Sequence, residues 1–223
     1  MGRINVLPKH IAELIAAGEV VERPASVVKE LAENAIDAGA TAVTIEIRNG
    51  GITYIRITDN GCGITHDDVP KAFLSHATSK LRSAEDLNSI FTLGFRGEAL
   101  ASVAAVAKIE LFTKSAEEKD GTLYNIEGGE QTKFETAGCP NGTTIVVRDL
   151  FYNTPARMKF LKKDVSEANA VADVVDKLAL SHPEISFLFV RDGKQALITP
   201  GDGKLLSVIY STFGRVFAEG MLE

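Results

Sequence analysis

Apolar residues recur at helical spacing from His10 to Val21 and again from Pro24 to Ala38. Pro24 suits the first turn of a helix, and Gly39 is a natural stop. In the second of these helices Val27, Val28, Leu31, Ala32, Ala35 and Ile36 form an apolar stripe, while Glu30, Asn34 and Asp37 fall at i, i+4 and i+7 on a polar one. The period then changes to two. Residues 41–48 and 52–57 read as a hairpin around Asn49-Gly50-Gly51, and the second strand ends in the glycine turn Asp59-Asn60-Gly61-Cys62-Gly63-Ile64. Residues 66–80 read as a short helix leading into a polar loop, and 83–98 as a loop with glycines at 94 and 97. A small apolar helix is predicted over 99–107, followed by strands at 108–115, 122–129 and, most clearly, 142–151. An amphipathic helix over 166–183 stops at Pro183, a hairpin over 185–200 turns at Asp192-Gly193, and another amphipathic helix begins after the 201–204 turn. Several hairpins with interspersed helices predict an α+β fold: one mainly antiparallel sheet with helices on one face.

The 223 residues, 45% hydrophobic and 24% charged, are enough for one large domain or one domain and the beginning of another. Cys62 and Cys139 lack CxxC spacing and clustered histidines, which favours a reducing compartment without structural zinc. No apolar run approaches the ~20 residues of a membrane helix, and the N-terminus lacks the apolar run of a signal peptide, so a cytosolic protein is expected. With 24 basic and 30 acidic residues the net charge is -6, which excludes a globally basic nucleic-acid binder. Arg157, Lys159, Lys162 and Lys163 form a local basic run, read as a solvated helix start in preference to a nucleic-acid patch.

Asparagine is a poor helix-interior residue because its amide competes for backbone hydrogen bonds, so Asn34 calls for an explanation. No Walker-type GxxxxGK[ST], no GxGxxG after a strand, and no HExxH, CxxC or GxSxG occurs. A nucleotide site here would have to be of another kind. The ordered set is informative: ExxxN on a helix (Glu30, Asn34), DxGxG after a strand (Asp59, Gly61, Gly63), a glycine-rich loop at 94–97 and GTT on a late strand (Thr143). Together these resemble the GHKL ATPase superfamily of gyrase-type topoisomerases, the ATP-driven heat-shock chaperone, histidine kinases and MutL. IAAGEVVERPASVVKELAENAIDAGAT, HATSK, GFRGEAL and LFYNTPAR narrow the resemblance to the MutL/PMS family of DNA mismatch-repair proteins. It covers nearly all of residues 4–163 and weakens after that. Ser75 departs from the family pattern, in which an arginine precedes HATSK.

The resemblance implies a GHKL (Bergerat) ATPase sandwich over 1–200 and the truncated start of a ribosomal S5-like second domain over 201–223. It implies ATP and Mg²⁺ as cofactors. Glu30 would orient and deprotonate the attacking water, and Asn34 would ligate Mg²⁺ through its amide oxygen, a hard donor of the kind magnesium prefers. Asp37 would brace the helix end. Asp59 would accept a hydrogen bond from the adenine amine, where guanine presents a carbonyl. Gly61 and Gly63 would let backbone approach the base, and Thr143 would bond near it. His76, Ala77, Thr78, Ser79 and Lys80 at one end, and Gly94, Phe95, Arg96, Gly97, Glu98, Ala99 and Leu100 at the other, would frame a lid over the triphosphate. Helix-opening amides would serve as the anion site and Lys80 would offset phosphate charge. The family further implies homodimerisation on ATP binding (a PMS-type heterodimer if eukaryotic), the mismatch-recognition protein MutS as partner, and weak non-specific DNA contact. The cytoplasmic location would be nucleoid-associated, or nuclear if eukaryotic. In the family a second-domain lysine reaches the γ-phosphate; a chain ending at Glu223 is expected to turn ATP over poorly. Another GHKL protein, such as a topoisomerase subunit, and a catalytically silent binding module stand as the alternatives.

Overall fold

The computed structural model describes residues 5–80, 92–94 and 97–220. Eight strands form a single sheet: β1 (Ala42–Arg48), β2 (Tyr54–Asp59), β3 (Lys108–Lys114), β4 (Gly121–Glu127), β5 (Glu130–Ala137), β6 (Gly142–Arg148), β7 (Ser186–Arg191) and β8 (Lys194–Ile198). The order across the sheet is β5-β4-β3-β6-β2-β1-β7-β8, and β1 with β7 is the one parallel pair among the described strands. The expected α+β class, with a mainly antiparallel sheet, is the observed one.

Alternation produces the layers. Ile45, Ile47, Ile55, Ile57, Ile109, Leu111, Val147, Phe187 and Phe189 are buried on one face. That face is covered by α1 (Lys9–Val20), α2 (Pro24–Asp37), α4 (Ala99–Val106) and α6 (Asp164–Ser181). Two one-turn helices, α3 (Val69–Ala72) and α5 (Pro155–Met158), lie in connections, and α7 (Leu205–Phe213) and α8 (Arg215–Glu219) end the described chain.

Helix α2 has Pro24 in its first turn and ends as predicted. Gly39 adopts φ +73°, its N–H bonds the Ile36 carbonyl and the Ala40 N–H bonds the Ala35 carbonyl. This is the glycine stop in which two orphan carbonyls are satisfied at once. Strand β5 was not anticipated. Its side chains are exposed on both faces apart from Ala137, so EQTKFETA shows no hydrophobic alternation for a pattern to register. The loop predicted over 83–98 lies largely outside the described residues.

The basic run at 157–163 divides in two. Lys159, Lys162 and Lys163 are exposed, whereas Arg157 turns inward and its Nη2 donates to the Leu14 carbonyl at 2.6 Å. The reading of all four as solvated is therefore corrected at Arg157.

Candidate functional site

Helix α2 supplies the floor. Its apolar stripe (Val27, Val28, Leu31, Ala32 and Ala35) is in the core, and the turn-to-turn spacing leaves Glu30, Asn34 and Asp37 on the other side. The described segments on either side of 81–91 converge on this polar stripe. Lys80 Nζ donates to Asp37 Oδ2 at 2.6 Å and to Asn34 Oδ1 at 3.0 Å. The Leu93 and Gly94 amides donate to Asp37 Oδ1 and Oδ2, each at 3.0 Å. One carboxylate thus clips residue 80 to residues 93–94. Burial by itself raises the Asp37 carboxyl; the Lys80 ammonium and the Gly94 and Leu93 amides outweigh it and hold the group below the usual carboxylate range. None of these bonds comes from α2 itself, so the expectation that Asp37 braces the helix end is corrected: among the described residues its carboxylate serves Lys80, Leu93 and Gly94.

Glu30 is only partly exposed, with Lys29 Nζ 3.6 Å from its Oε1; Lys29 gives its closer contact, 2.8 Å, to Glu33. Thr78 Oγ1 accepts the Lys80 N–H at 3.1 Å, and Ser79 makes no hydrogen bond among the described residues. Opposite them, His76 donates its N–H to Glu98 Oε1, and the His76 ring approaches the same oxygen. Gly97, at φ +65°, lies so close to Ala77 that a Cβ would fall 2.4 Å from the Ala77 carbonyl oxygen. Residues 76–77 therefore dock on the entry to α4, whose start at Ala99 carries no side-chain cap. The orphan amides of that first turn, Leu100 included, remain available to an anion. Phe95 and Arg96 lie outside the described residues.

The glycine turn after β2 is tied to the same helix. Cys62 N–H bonds the Ala38 carbonyl at 2.9 Å, and a Cβ on Gly61 would sit 2.8 Å from that oxygen. Gly63, at φ +70°, passes so near β3 that a Cβ would be 2.1 Å from the Lys114 carbonyl oxygen. Both glycines are thus demanded by approach to the protein's own backbone, before any base is considered.

Asp59, Thr143 and Thr113 stand abreast on β2, β6 and β3. Asp59 Oδ1 accepts the Gly61 N–H at 2.8 Å and the Thr143 N–H at 3.3 Å; its second oxygen makes no hydrogen bond among the described residues. Burial raises the Asp59 carboxyl, and those two amides only partly offset it. Thr113, fully buried, was missed from sequence, where it is only a β-branched strand residue. Its hydroxyl can donate to the Gly142 carbonyl, accepts the Ile64 N–H at 2.9 Å and lies 3.1 Å from Thr143 Oγ1. A hydroxyl has one proton, which Thr113 can give to Gly142 or to Thr143, both 3.1 Å away. When Gly142 takes the Thr113 proton, Thr143 is the donor between the two and its oxygen is left with acceptor lone pairs only.

The site is therefore continuous: Glu30, Asn34 and Asp37 along α2, the Gly61 turn at its end, Asp59 and Thr143 beside the turn, and Lys80, Gly94 and the start of α4 above. No group of three or more His, Cys, Asp or Glu side chains suited to a metal occurs among the described residues. A divalent ion at Asn34 would need the rest of its shell from water and a phosphate-bearing ligand, which suits magnesium, a poorly dehydrating cation.

Residues 22–135 match the family model described as histidine kinase-, DNA gyrase B-, and HSP90-like ATPase. The chain belongs to this family. Within it, the chain is a MutL-type N-terminal ATPase domain. It is 56% identical over 223 residues to the DNA mismatch repair protein MutL of Agathobacter rectalis, covering 100% of this chain and 34% of that protein. It is 54% identical over 215 residues to MutL of Caldanaerobacter subterraneus subsp. tengcongensis, covering 96% of this chain and 36% of that protein. The chain thus spans about a third of the length of the curated relatives it matches. Among solved structures, the Aquifex aeolicus MutL ATPase domain complexed with ADP superposes with a TM-score of 0.69 at 34% identity, covering 87% of this chain and 70% of that one.

Proposed function

We propose that the domain is a slow, magnesium-dependent ATPase that serves as the nucleotide switch of a MutL-type mismatch-repair protein. The observation that carries this reading is the convergence on α2: Lys80 and Gly94 meet Asn34 and Asp37 at one point of the helix, and the Asp59 turn docks at its end.

Adenine would enter against Asp59, its exocyclic amine donating to the free carboxylate oxygen. Thr143, whose oxygen only accepts when its own proton goes to Thr113, would take a second donor, from the base or from a water. Guanine offers a carbonyl where the amine should be and meets only acceptors, so discrimination follows from polarity. The phosphates would lie toward the start of α4, where uncapped amides and the positive helix end favour an anion. Mg²⁺, when bound at Asn34 Oδ1, supplies charge neutralisation for the phosphate oxygens. Lys80 and a metal ion cannot both use that oxygen, so Lys80 must leave Asn34 and turn to the phosphates, which its four-carbon stem permits. Glu30, one helical turn from Asn34, would orient the attacking water and take its proton. Glycines 94 and 97 would accommodate ordering of the lid.

The wider role follows from family membership. ATP-driven ordering of the lid and of residues 1–20 would promote dimerisation and signalling to MutS and DNA. The catalytic domain would run to about residue 200, with 201–223 starting an S5-like second domain, and the protein would be cytoplasmic. Among the described residues no helix is long and apolar enough to cross a membrane.

Thermal-shift titration tests the core of this. ADP and ATP with Mg²⁺ should raise the melting temperature, by a constant increment for each tenfold increase in ligand above the Kd. GTP should not, and removing Mg²⁺ should reduce the effect. Equal stabilisation by GTP, or none by adenine nucleotides up to millimolar concentration, contradicts the site.

A further inference from the structure

The LFYNTPAR segment, residues 150–157, contributes nothing to the nucleotide site, yet it bridges two helices, α4 and α1, with side-chain bonds to the backbone of each. At one end it closes the C-terminus of α4. Phe151, buried and in the left-handed region at φ +66°, donates its N–H to the Val106 carbonyl at 2.7 Å. Asn153 Nδ2 donates to the Ala105 carbonyl at 2.8 Å. At the other end Arg157 reaches α1, which packs against α4. Its Nη2 donates to the Leu14 carbonyl, and its guanidinium lies over Gly18, where a Cβ would come within 2.1 Å of Nη2. Gly18 is in regular helix with no positive φ, so the space for the guanidinium is the reason visible for glycine at this position. Arg157 Nη1 and Asn153 Oδ1 are both buried without a hydrogen-bond partner among the described residues. Unpaired buried polar atoms are costly. A segment placed only for stability would have little reason to keep two of them.

We propose that residues 150–157 are a brace coupling α4, the helix whose first turn faces the phosphates, to the amino-terminal helix α1, with Arg157 as the positioning residue through which the coupling runs. The inference rests on the nucleotide reading for what α4 senses; the contact between Arg157 and α1 stands without it. A shift of α4 carries Phe151 and Asn153 with it through their bonds to its last carbonyls. Arg157, four residues further on, transmits the shift to the backbone of α1.

Hydrogen exchange on the whole 223-residue chain tests both halves. Without ligand, Arg157→Gln should speed exchange of the α1 amides after Leu14 at least tenfold and leave α2 and β1 unchanged. Gly18→Ala should do the same, although alanine is the better helix former and propensity alone predicts slower exchange. The double variant should exchange no faster than Arg157→Gln alone, because the methyl then meets no guanidinium and only the lost bond to the Leu14 carbonyl remains. Unchanged α1 exchange in Arg157→Gln, or slower exchange in Gly18→Ala, overturns the clamp. With ADP and Mg²⁺, the parent chain should gain protection in α4 and α1 together. Arg157→Gln should bind nucleotide within about threefold of the parent affinity and gain it in α4 alone. Equal gains in α1 for both proteins, or none in the parent chain, overturn the coupling. Failure of the parent chain to bind nucleotide overturns the site reading instead, with the ligand-free comparison still deciding whether the clamp exists.

Discussion

Asp37→Ala is the most informative single perturbation of the candidate site, because three contacts end on that one carboxylate. The Asp37 side chain is 7% exposed and Lys80 20% exposed. Removing the carboxylate frees the Lys80 ammonium, which can regain much of its hydration, so that pair counts nearer to a surface pair, about 1 kcal/mol. The Leu93 and Gly94 amides lose an ionised acceptor, at about 1.5 kcal/mol each as a lower figure for bonds to charged groups. Such contacts are not additive, and about 3 kcal/mol is a reasonable total. At about 1.36 kcal/mol per decade this is a shift of roughly 150-fold in favour of the unclipped arrangement. The assay is amide exchange at Leu93 and Gly94, which should accelerate by about two decades while α2 and the sheet keep their protection. Asp37→Asn, with one oxygen and no charge, should fall between. The same clip has a pH signature. A carboxyl with depressed pKa contributes stability above its unfolded value of about 3.9, and that contribution fades as pH falls through the lower folded value. Exchange at Leu93 and Gly94 should therefore be clipped at neutral pH and released only in strong acid. Rates in Asp37→Ala within threefold of the parent chain at pH 7 would refute the account.

Three further outcomes are expected. Asp59→Asn keeps an oxygen for the Gly61 and Thr143 amides and removes a charge whose burial is unfavourable. It should raise the melting temperature at pH 7, the gain shrinking as pH falls through the raised folded pKa and gone below the unfolded value of about 3.9, while adenine-nucleotide affinity drops at least tenfold by calorimetry. Glu30→Ala should bind nucleotide normally and lose about 10²-fold or more in turnover, as expected for a missing general base, whereas Asn34→Ala should weaken binding only when Mg²⁺ is present; single-turnover assays beside titrations separate the two. Replacing Lys159, Lys162 and Lys163 by Gln should lower any affinity for DNA and flatten its salt dependence by about one unit of slope for each phosphate no longer neutralised, with an unchanged slope excluding this patch.

What could be read from the chain divides along physical lines. The two faces of α2 were legible because burial imposes a 3.6-residue period on local sequence, and the Gly39 stop because a positive φ has a residue preference. Asp37 was undervalued because its partners lie 43, 56 and 57 residues away and no local pattern records them. Lys80 was expected to meet phosphate; its contacts to Asn34 and Asp37 were not legible because those residues lie 46 and 43 positions away. Thr113 was invisible because its importance lies in where its proton goes. Strand β5 left no mark because neither of its faces is buried. Arg157 was hidden by its lysine neighbours, which make a charge run look uniformly wet.

The base specificity of this domain would then be set partly by a residue that never meets the base. With valine at position 113 the neighbouring threonine would be released to point its hydrogen the other way, toward the incoming purine. A pocket that had asked only for donors would begin to tolerate a carbonyl. One methyl in place of a hydroxyl, a full strand away from the ligand, would blur the line between the two purines.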